Sequence, residues 1–137
     1  MKGRKPLFSS QTVHHATPKA LFDELHREFG FDFDPCPLGS LVDGLATPWT
    51  GKRVYCNPPY GREIPKWLAK ATEADIAVYL LPARTDTRWF HEYAMKAQEI
   101  RFVKGRLKFG VAKYNAPFPN CVVIFKQPVP GEGGKDG

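Results

Sequence analysis

An asparagine and two prolines follow directly after a short apolar segment near the middle of the chain. Val54–Cys56 is β-branched and aromatic, which predicts a buried strand, and Asn57-Pro58-Pro59-Tyr60 comes next. Proline has no N–H to donate to a strand ladder, so the chain is expected to leave the sheet at Asn57. Each proline also restricts the residue before it to extended conformations, which predicts a stiff loop.

This loop suits chemistry on an amino group. The Asn57 side-chain oxygen and the Pro58 carbonyl are two acceptors, and an exocyclic amino group offers two N–H donors. The lone pair of an aryl amine is delocalised into its ring. Accepting both hydrogens draws the nitrogen toward a pyramidal geometry and frees that lone pair for in-line attack. Tyr60 adds a flat face on which a base can stack. A proline-rich turn with a capping asparagine is the alternative interpretation.

Composition bounds the class of protein. The chain has 137 residues, a formal net charge of +6 and a pI near 9.3, which indicates one domain and favours a polyanionic partner such as nucleic acid. Its three cysteines have no paired spacing, which argues against a disulfide framework and a metal site. Without a long apolar run or a signal peptide, the protein is expected to be soluble and cytoplasmic, with no membrane partner.

The first elements are predicted from capping and alternation. Thr17 is expected to be the N-cap of a helix with Pro18 at its first position, and Gly30 to end that helix. Phe31–Asp34 alternates apolar and acidic residues, which predicts a strand.

A second strand is predicted over Ile76–Leu81, an apolar run typical of a strand covered on both faces and hence of a parallel sheet. It ends at Pro82, which places the polar loop after it on the same carboxyl edge as Asn57. Thr85 or Asp86 is expected to cap the next helix. Further predicted elements are a helix with Ile64, Trp67, Leu68 and Ala71 on one face, and strands over Glu99–Lys104 and Cys121–Phe125.

These elements predict an α/β fold of the doubly wound, Rossmann-like type with a mostly parallel sheet. Residues 1–16 are interpreted as a flexible basic arm, residues 17–126 as the folded domain and residues 127–137 as a disordered tail. Alternating basic and apolar residues would place Arg106 and Lys108 on one face, with a solvated strand face as the alternative. The loop Tyr114–Pro119 carries two aromatic residues that could contact bases.

Asn57-Pro58-Pro59-Tyr60 after a strand resembles the catalytic motif of S-adenosylmethionine-dependent amino methyltransferases. Asp34-Pro35-Cys36 resembles the start of the motif that holds their methyl donor, while Leu38–Leu41 departs from the glycines that follow it. The chain as a whole resembles the compact phage-type DNA N6-adenine methyltransferases (the Dam family). The blocks that carry this resemblance, in order, are Thr17-Pro18, Asp34-Pro35, Asn57–Gly61, Leu81–Thr87 and Lys104–Phe109.

The resemblance implies a Rossmann-like methyltransferase that moves a methyl group from S-adenosylmethionine to N6 of an adenine flipped out of double-stranded DNA. It also implies a phage- or prophage-encoded protein of the bacterial cytoplasm. The expected catalytic residues are Asn57, Pro58, Pro59 and Tyr60; the expected donor-binding residues are Thr17, Pro18, Asp34, Pro35 and Cys36; the residues expected to contact nucleic acid are Arg84, Thr85, Asp86, Arg106 and Lys108.

Other functions fit the same motif. Methyltransferases acting on RNA or on protein glutamines use the same chemistry, and a methyltransferase fold without activity would only bind nucleic acid. Since no separate recognition domain is evident, we expect a short or relaxed recognition sequence, or a partner or homodimer that supplies specificity.

Overall fold

The computed structural model shows one four-stranded sheet with helices packed on it. It describes residues 16–37, 43–108 and 117–127. The predicted basic arm, the predicted tail and Leu38–Leu41 lie outside these ranges, apart from residues 16 and 127. The helices are α1 (Lys19–Phe29), α2 (Ile64–Ala69) and α3 (Arg88–Glu92), and the strands are β1 (Arg53–Cys56), β2 (Ile76–Pro82), β3 (Glu99–Phe102) and β4 (Asn120–Lys126). Turns of 3₁₀ helix, Lys70–Glu73 and Ala94–Lys96, follow α2 and α3.

The strand order is β1-β2-β4-β3, and the sheet is mixed. β1 runs parallel to β2, whereas β4 runs antiparallel to both β2 and β3. The α/β class is confirmed, and the prediction of a mostly parallel sheet was wrong. The apolar run of β2 correctly showed a strand covered on both faces, but burial of a strand does not encode the direction of its neighbours.

β2 is one of the two inner strands of the sheet, and every residue of β2 after Ile76 is buried. On one face α1 packs against β1, where the Phe22 and Tyr55 rings meet edge-on at 5.1 Å. On the other face the Tyr79 hydroxyl of β2 donates to the Trp67 carbonyl of α2 at 2.6 Å. Helices therefore pack on both faces of the sheet. None of the helices in the described ranges is long and apolar enough to cross a membrane.

The ends of α1 have clear local causes. Pro18, not Thr17, is its N-cap, so the predicted start was wrong by one residue. Gly30 ends the helix as predicted, with a φ of +63° that favours glycine and an N–H that bonds the His26 carbonyl at 2.8 Å. The Arg53 guanidinium of β1 donates to the Phe29 carbonyl at the negative end of α1.

The predicted strand Phe31–Asp34 was wrong in extent. The structure has a single parallel bridge here, between Phe33 and Val54. The Asp34 carboxylate accepts the Cys36 N–H at 3.0 Å and turns the chain away, so only one pair forms.

Two further boundaries differ from prediction. The N-cap of α3 is Thr87, whose hydroxyl accepts the Phe90 N–H at 3.2 Å, rather than Thr85 or Asp86. β3 ends at Phe102 rather than Lys104. The loop before α3 therefore extends further along the chain than its composition indicated, and the loop after β3 begins two residues earlier.

An ion-pair network covers one side of the edge strand β3. Arg101 makes a bidentate pair with Glu28 of α1, with both distances at 2.7 Å, and a third bond to Glu99 at 2.7 Å. These bonds lower the pKa of both glutamates. The guanidinium also lies 5.5 Å from the centre of the Phe29 ring, so the network joins α1 to β3.

The segment before β1 is anchored by Trp49, which is fully buried. Its indole N–H donates to the Gly44 carbonyl at 3.0 Å, and its backbone N–H donates to Glu73 at 3.0 Å. Gly44 in turn lies so close to Pro35 that a Cβ atom there would overlap the Pro35 carbonyl. Only glycine allows this approach of two backbone segments.

Gly44→Ala is therefore expected to destabilise the protein by about 1–3 kcal/mol, because backbone must move to relieve the overlap. Gly51→Ala is a comparison that adds backbone strain without a contact: its φ is +73°, which alanine adopts at a cost of roughly 1–2 kcal/mol, and nothing lies within 4 Å of the added atom. Chemical denaturation of both variants and of the wild type measures the two losses. A Gly44→Ala variant as stable as the wild type would show that the contact between Gly44 and Pro35 is not tight.

Candidate active site

Four loops of the described chain emerge at one edge of the sheet. β1 and β2 are parallel, so the loops that begin at Asn57 and Ala83 follow their carboxyl ends. β4 begins opposite the end of β2, where Asn120 pairs with Pro82, and β3 ends beside this start. The loops 57–61, 83–87, 103–108 and 117–119 are therefore neighbours. Open α/β sheets bind their ligands at such an edge.

Asn57 is buried at the start of the first loop, with only 4% of its surface exposed. Its Nδ2 atom donates to the Thr17 hydroxyl at 3.1 Å, and the Thr17 oxygen lies 2.6 Å from the Tyr55 hydroxyl. The next residue, Pro58, is also buried. The structure thus brings together two predicted site residues that are 40 positions apart.

Tyr60 is held rigidly by its hydroxyl. The hydroxyl donates to the Leu80 carbonyl at 2.9 Å and accepts from Asn120 Nδ2 at 3.3 Å. Asn120 Nδ2 also donates to the Leu81 carbonyl at 3.0 Å. Burial raises the pKa of Tyr60, so it remains protonated at physiological pH. The ring therefore has a fixed orientation at the site.

A pocket of about 590 Å³ lies beside Tyr60, and we call it the Tyr60 pocket. Its volume is within the range of roughly 300–1,000 Å³ found for small-molecule sites. The Arg84 guanidinium lies 5.4 Å from the centre of the Phe118 ring, and the Phe118 and Tyr60 rings are 5.6 Å apart. Trp89 and Arg62 complete a wall of aromatic rings and cations. Such a wall suits a nucleobase with its phosphate.

Asp34 lies at the turn that follows the bridge to β1. Its carboxylate is exposed and accepts the Cys36 N–H, while partial desolvation raises the pKa of the carboxyl group. Burial raises the pKa of the Cys36 thiol to about 12, and the Asp34 charge adds to this effect. The thiol is therefore neutral at physiological pH and unsuited to act as a nucleophile.

The chain matches the family model described as DNA N-6-adenine-methyltransferase (Dam) over residues 8–128. It belongs to the Dam family. The resemblance found in the sequence is thus confirmed, and membership of this family implies methylation of N6 of adenine in DNA. No curated protein and no solved structure matches the chain.

In this Dam-family protein the residues expected to contact DNA fall into two groups. Arg84 lines the Tyr60 pocket. Thr85, Asp86, Arg106 and Lys108 are exposed in loops at the same edge. Their exposure agrees with contact to a large ligand, and their role in binding stays a prediction.

Sequence reasoning missed two residues of the candidate site, Tyr55 and Asn120. Tyr55 was assigned only to a strand, and Asn120 lay just before the predicted strand Cys121–Phe125. A tyrosine inside an apolar strand must place its hydroxyl against a polar partner, and this was the available signal for Tyr55. Asn120 carried a similar signal, since a buried amide at the start of a strand needs partners of its own.

Tyr60→Phe is expected to lower the free energy of unfolding by about 1–3 kcal/mol, because the buried Leu80 carbonyl and Asn120 amide both lose a bond. The ring and the Tyr60 pocket would remain. Urea denaturation measures the loss. Tyr93→Phe is the control, since Tyr93 is only half-buried. An unchanged stability for Tyr60→Phe would contradict the anchoring role of its hydroxyl.

Asp34 predicts a pH dependence of stability. Because the pKa of Asp34 is higher in the folded state, the folded protein binds this proton more tightly than the unfolded chain does. Stability therefore falls as pH rises from the unfolded pKa through the folded pKa. Asp34→Asn removes the cost of desolvating the charged carboxylate and can keep the turn, so the melting temperature of the variant should exceed that of the wild type at pH 7. The difference should shrink as pH falls toward about 4, the ordinary aspartate value. Melting curves across this pH range test the sign, and a less stable variant at pH 7 would contradict it.

Proposed function

We propose that this protein transfers the methyl group of S-adenosylmethionine to N6 of adenine in double-stranded DNA, after the target base leaves the duplex. Family membership supports the reaction class. The observation that supports the proposal most directly is the buried Asn57 amide, bonded to Thr17 at the start of the loop that carries Tyr60. A Rossmann-like methyltransferase fold belongs to the same proposal, supported by helices on both faces of the sheet and by a candidate site at the carboxyl end of the parallel pair β1 and β2.

Asn57 and Pro58 would act on the amino group. The Asn57 Oδ1 atom and the Pro58 carbonyl oxygen accept its two hydrogens, which removes the delocalisation of the nitrogen lone pair into the ring. The rigid loop and the bond to Thr17 hold the acceptors in place before the substrate arrives, so little reorganisation is needed during the reaction. This pre-organisation is the contribution of the chain to the chemical step.

The Tyr60 pocket would receive the extruded base. N6 of adenine is paired inside a duplex, so the base must be flipped out to reach Asn57. Tyr60 and Phe118 offer ring faces and edges to stack on, while Arg84 offers a cation for the attached phosphate. The exposed Arg106 and Lys108 extend the positive charge along the same edge.

The residues around Asp34 fit a methyl donor that carries amino and hydroxyl groups. The exposed Asp34 carboxylate can accept such donors while its Oδ1 atom holds the turn to Cys36. S-adenosylmethionine would supply an electrophilic methyl carbon attached to a positively charged sulfur. Pro35, buried against Gly44, would fix the backbone that carries Asp34. Pro18 would lie near the same group.

The test is transfer of labelled methyl from S-adenosylmethionine to DNA and, separately, to RNA, with nucleoside analysis of the products. The wild type is expected to produce N6-methyladenine in DNA. Asn57→Ala should reduce the rate by about 10²–10³-fold, the range seen when one pre-organised partner is removed from an active site. Asn57→Asp keeps an acceptor oxygen in the same place, and it should retain more activity than the alanine variant.

Each other outcome indicates a different function. Label in RNA alone, or in protein glutamine, would keep the chemistry and change the substrate. A folded wild-type protein that transfers no label, and whose melting temperature S-adenosylmethionine does not raise, would be a nucleic-acid-binding module. A short recognition sequence and a homodimer stay predictions, which digestion of methylated DNA and sedimentation would test.

A further inference from the structure

The Thr17 hydroxyl lies between two buried side chains at the carboxyl end of β1. Its oxygen is 2.6 Å from the Tyr55 hydroxyl and accepts a 3.1 Å bond from Asn57 Nδ2. Tyr55 is 2% exposed and Asn57 is 4% exposed. The three side chains form a hydrogen-bonded chain that joins the segment before α1 to the loop after β1.

The bond between Asn57 and Thr17 defines which end of the amide faces Thr17. Nδ2 donates to the Thr17 oxygen, which is also bonded to Tyr55, so Oδ1 faces away from Thr17. Movement of the Asn57 side chain away from Thr17 would break this bond in a buried position, at a cost of about 1–3 kcal/mol.

Thr17 is itself held from two sides. Pro18, whose φ is −58°, caps α1, and its carbonyl accepts the Phe22 N–H at 3.0 Å. The Phe22 ring packs edge-on against Tyr55 at 5.1 Å. The position of Thr17 relative to Asn57 thus depends on the docking of α1 against β1.

The geometry points to Thr17 and Tyr55 as positioning residues for Asn57, an inference that rests on the proposed methyl transfer. Thr17 holds the Asn57 amide in the orientation that presents an acceptor to the substrate amino group, and Tyr55 holds Thr17. This role differs from the donor-binding role that the sequence predicted for Thr17. Loss of the Thr17 hydroxyl should lower kcat without lowering affinity for S-adenosylmethionine.

Thr17→Val and Tyr55→Phe test this inference, since each removes one hydroxyl and keeps the shape of the side chain. Both are expected to lower kcat about tenfold, the effect of losing one hydrogen bond in the transition state alone. The KM for S-adenosylmethionine, and the rise in melting temperature that it causes, should stay within about twofold of wild type.

Two controls separate positioning from packing. Thr17→Ser keeps the hydroxyl and should restore kcat to within about threefold of wild type. Thr72→Val makes the same change as Thr17→Val at an exposed threonine after α2, whose hydroxyl bonds the Ala69 carbonyl at 3.4 Å. This variant should keep the wild-type kcat. A raised KM for S-adenosylmethionine in Thr17→Val, with kcat unchanged, would overturn the inference and make Thr17 a donor contact.

A measurement without turnover distinguishes failure of this inference from failure of the proposed function. The Asn57 side-chain amide is assigned in the ¹⁵N–¹H spectrum by its disappearance in Asn57→Ala. Its hydrogens should exchange with water faster in Thr17→Val and Tyr55→Phe, and at the wild-type rate in Thr17→Ser. An unchanged exchange rate in Thr17→Val would overturn the positioning role even if DNA is methylated. Faster exchange in Thr17→Val, when the wild-type protein methylates nothing, would instead refute the proposed function alone.

Discussion

The antiparallel ladder between β2 and β4 determines where Tyr60 lies in the candidate site. It contains seven residue pairs, from Ile76 with Lys126 to Pro82 with Asn120. Because side chains alternate between the faces of a sheet, a slip of one residue would exchange the residues of β4 between the two faces. It would also carry Asn120 away from Tyr60. The orientation of the Tyr60 ring thus depends on the register of a strand that begins 60 residues later.

The site joins two kinds of rigidity. The backbone of Asn57 is restricted by the prolines that follow it, which is a local property of the chain. Its side chain is restricted by Thr17 and Tyr55, which depends on the packing of α1 against β1. Local stiffness alone would leave the amide able to rotate, and packing alone would leave the loop free to move. Together they give an acceptor with a defined position and direction.

Much of this architecture could be predicted from local patterns. The ends of β1 and β2 at Asn57 and Pro82 follow from proline chemistry, and the end of α1 follows from Gly30, so these were correct. The N-cap of α3 is also local, but Thr85, Asp86 and Thr87 are all suitable caps, and the sequence does not say which of them bonds. The direction of β4, in contrast, depends on which segments meet in space. Periodicity and composition carry little information about contacts between segments that are distant in sequence. The same limit applies to the site: Asn57 was recognisable by its neighbours in sequence, whereas its contact with Thr17 spans 40 positions.

The charges on β3 affect whether two copies of the protein can associate through this strand. β3 is at the end of the strand order, so its outer backbone groups form a sheet edge, and exposed edges are templates for pairing between molecules. Arg101, held by Glu28 and Glu99, places fixed charges beside this edge. A strand from another molecule would have to desolvate these charges in order to pair. The same salt bridges that join α1 to the sheet thus oppose pairing of β3 with a strand of another molecule.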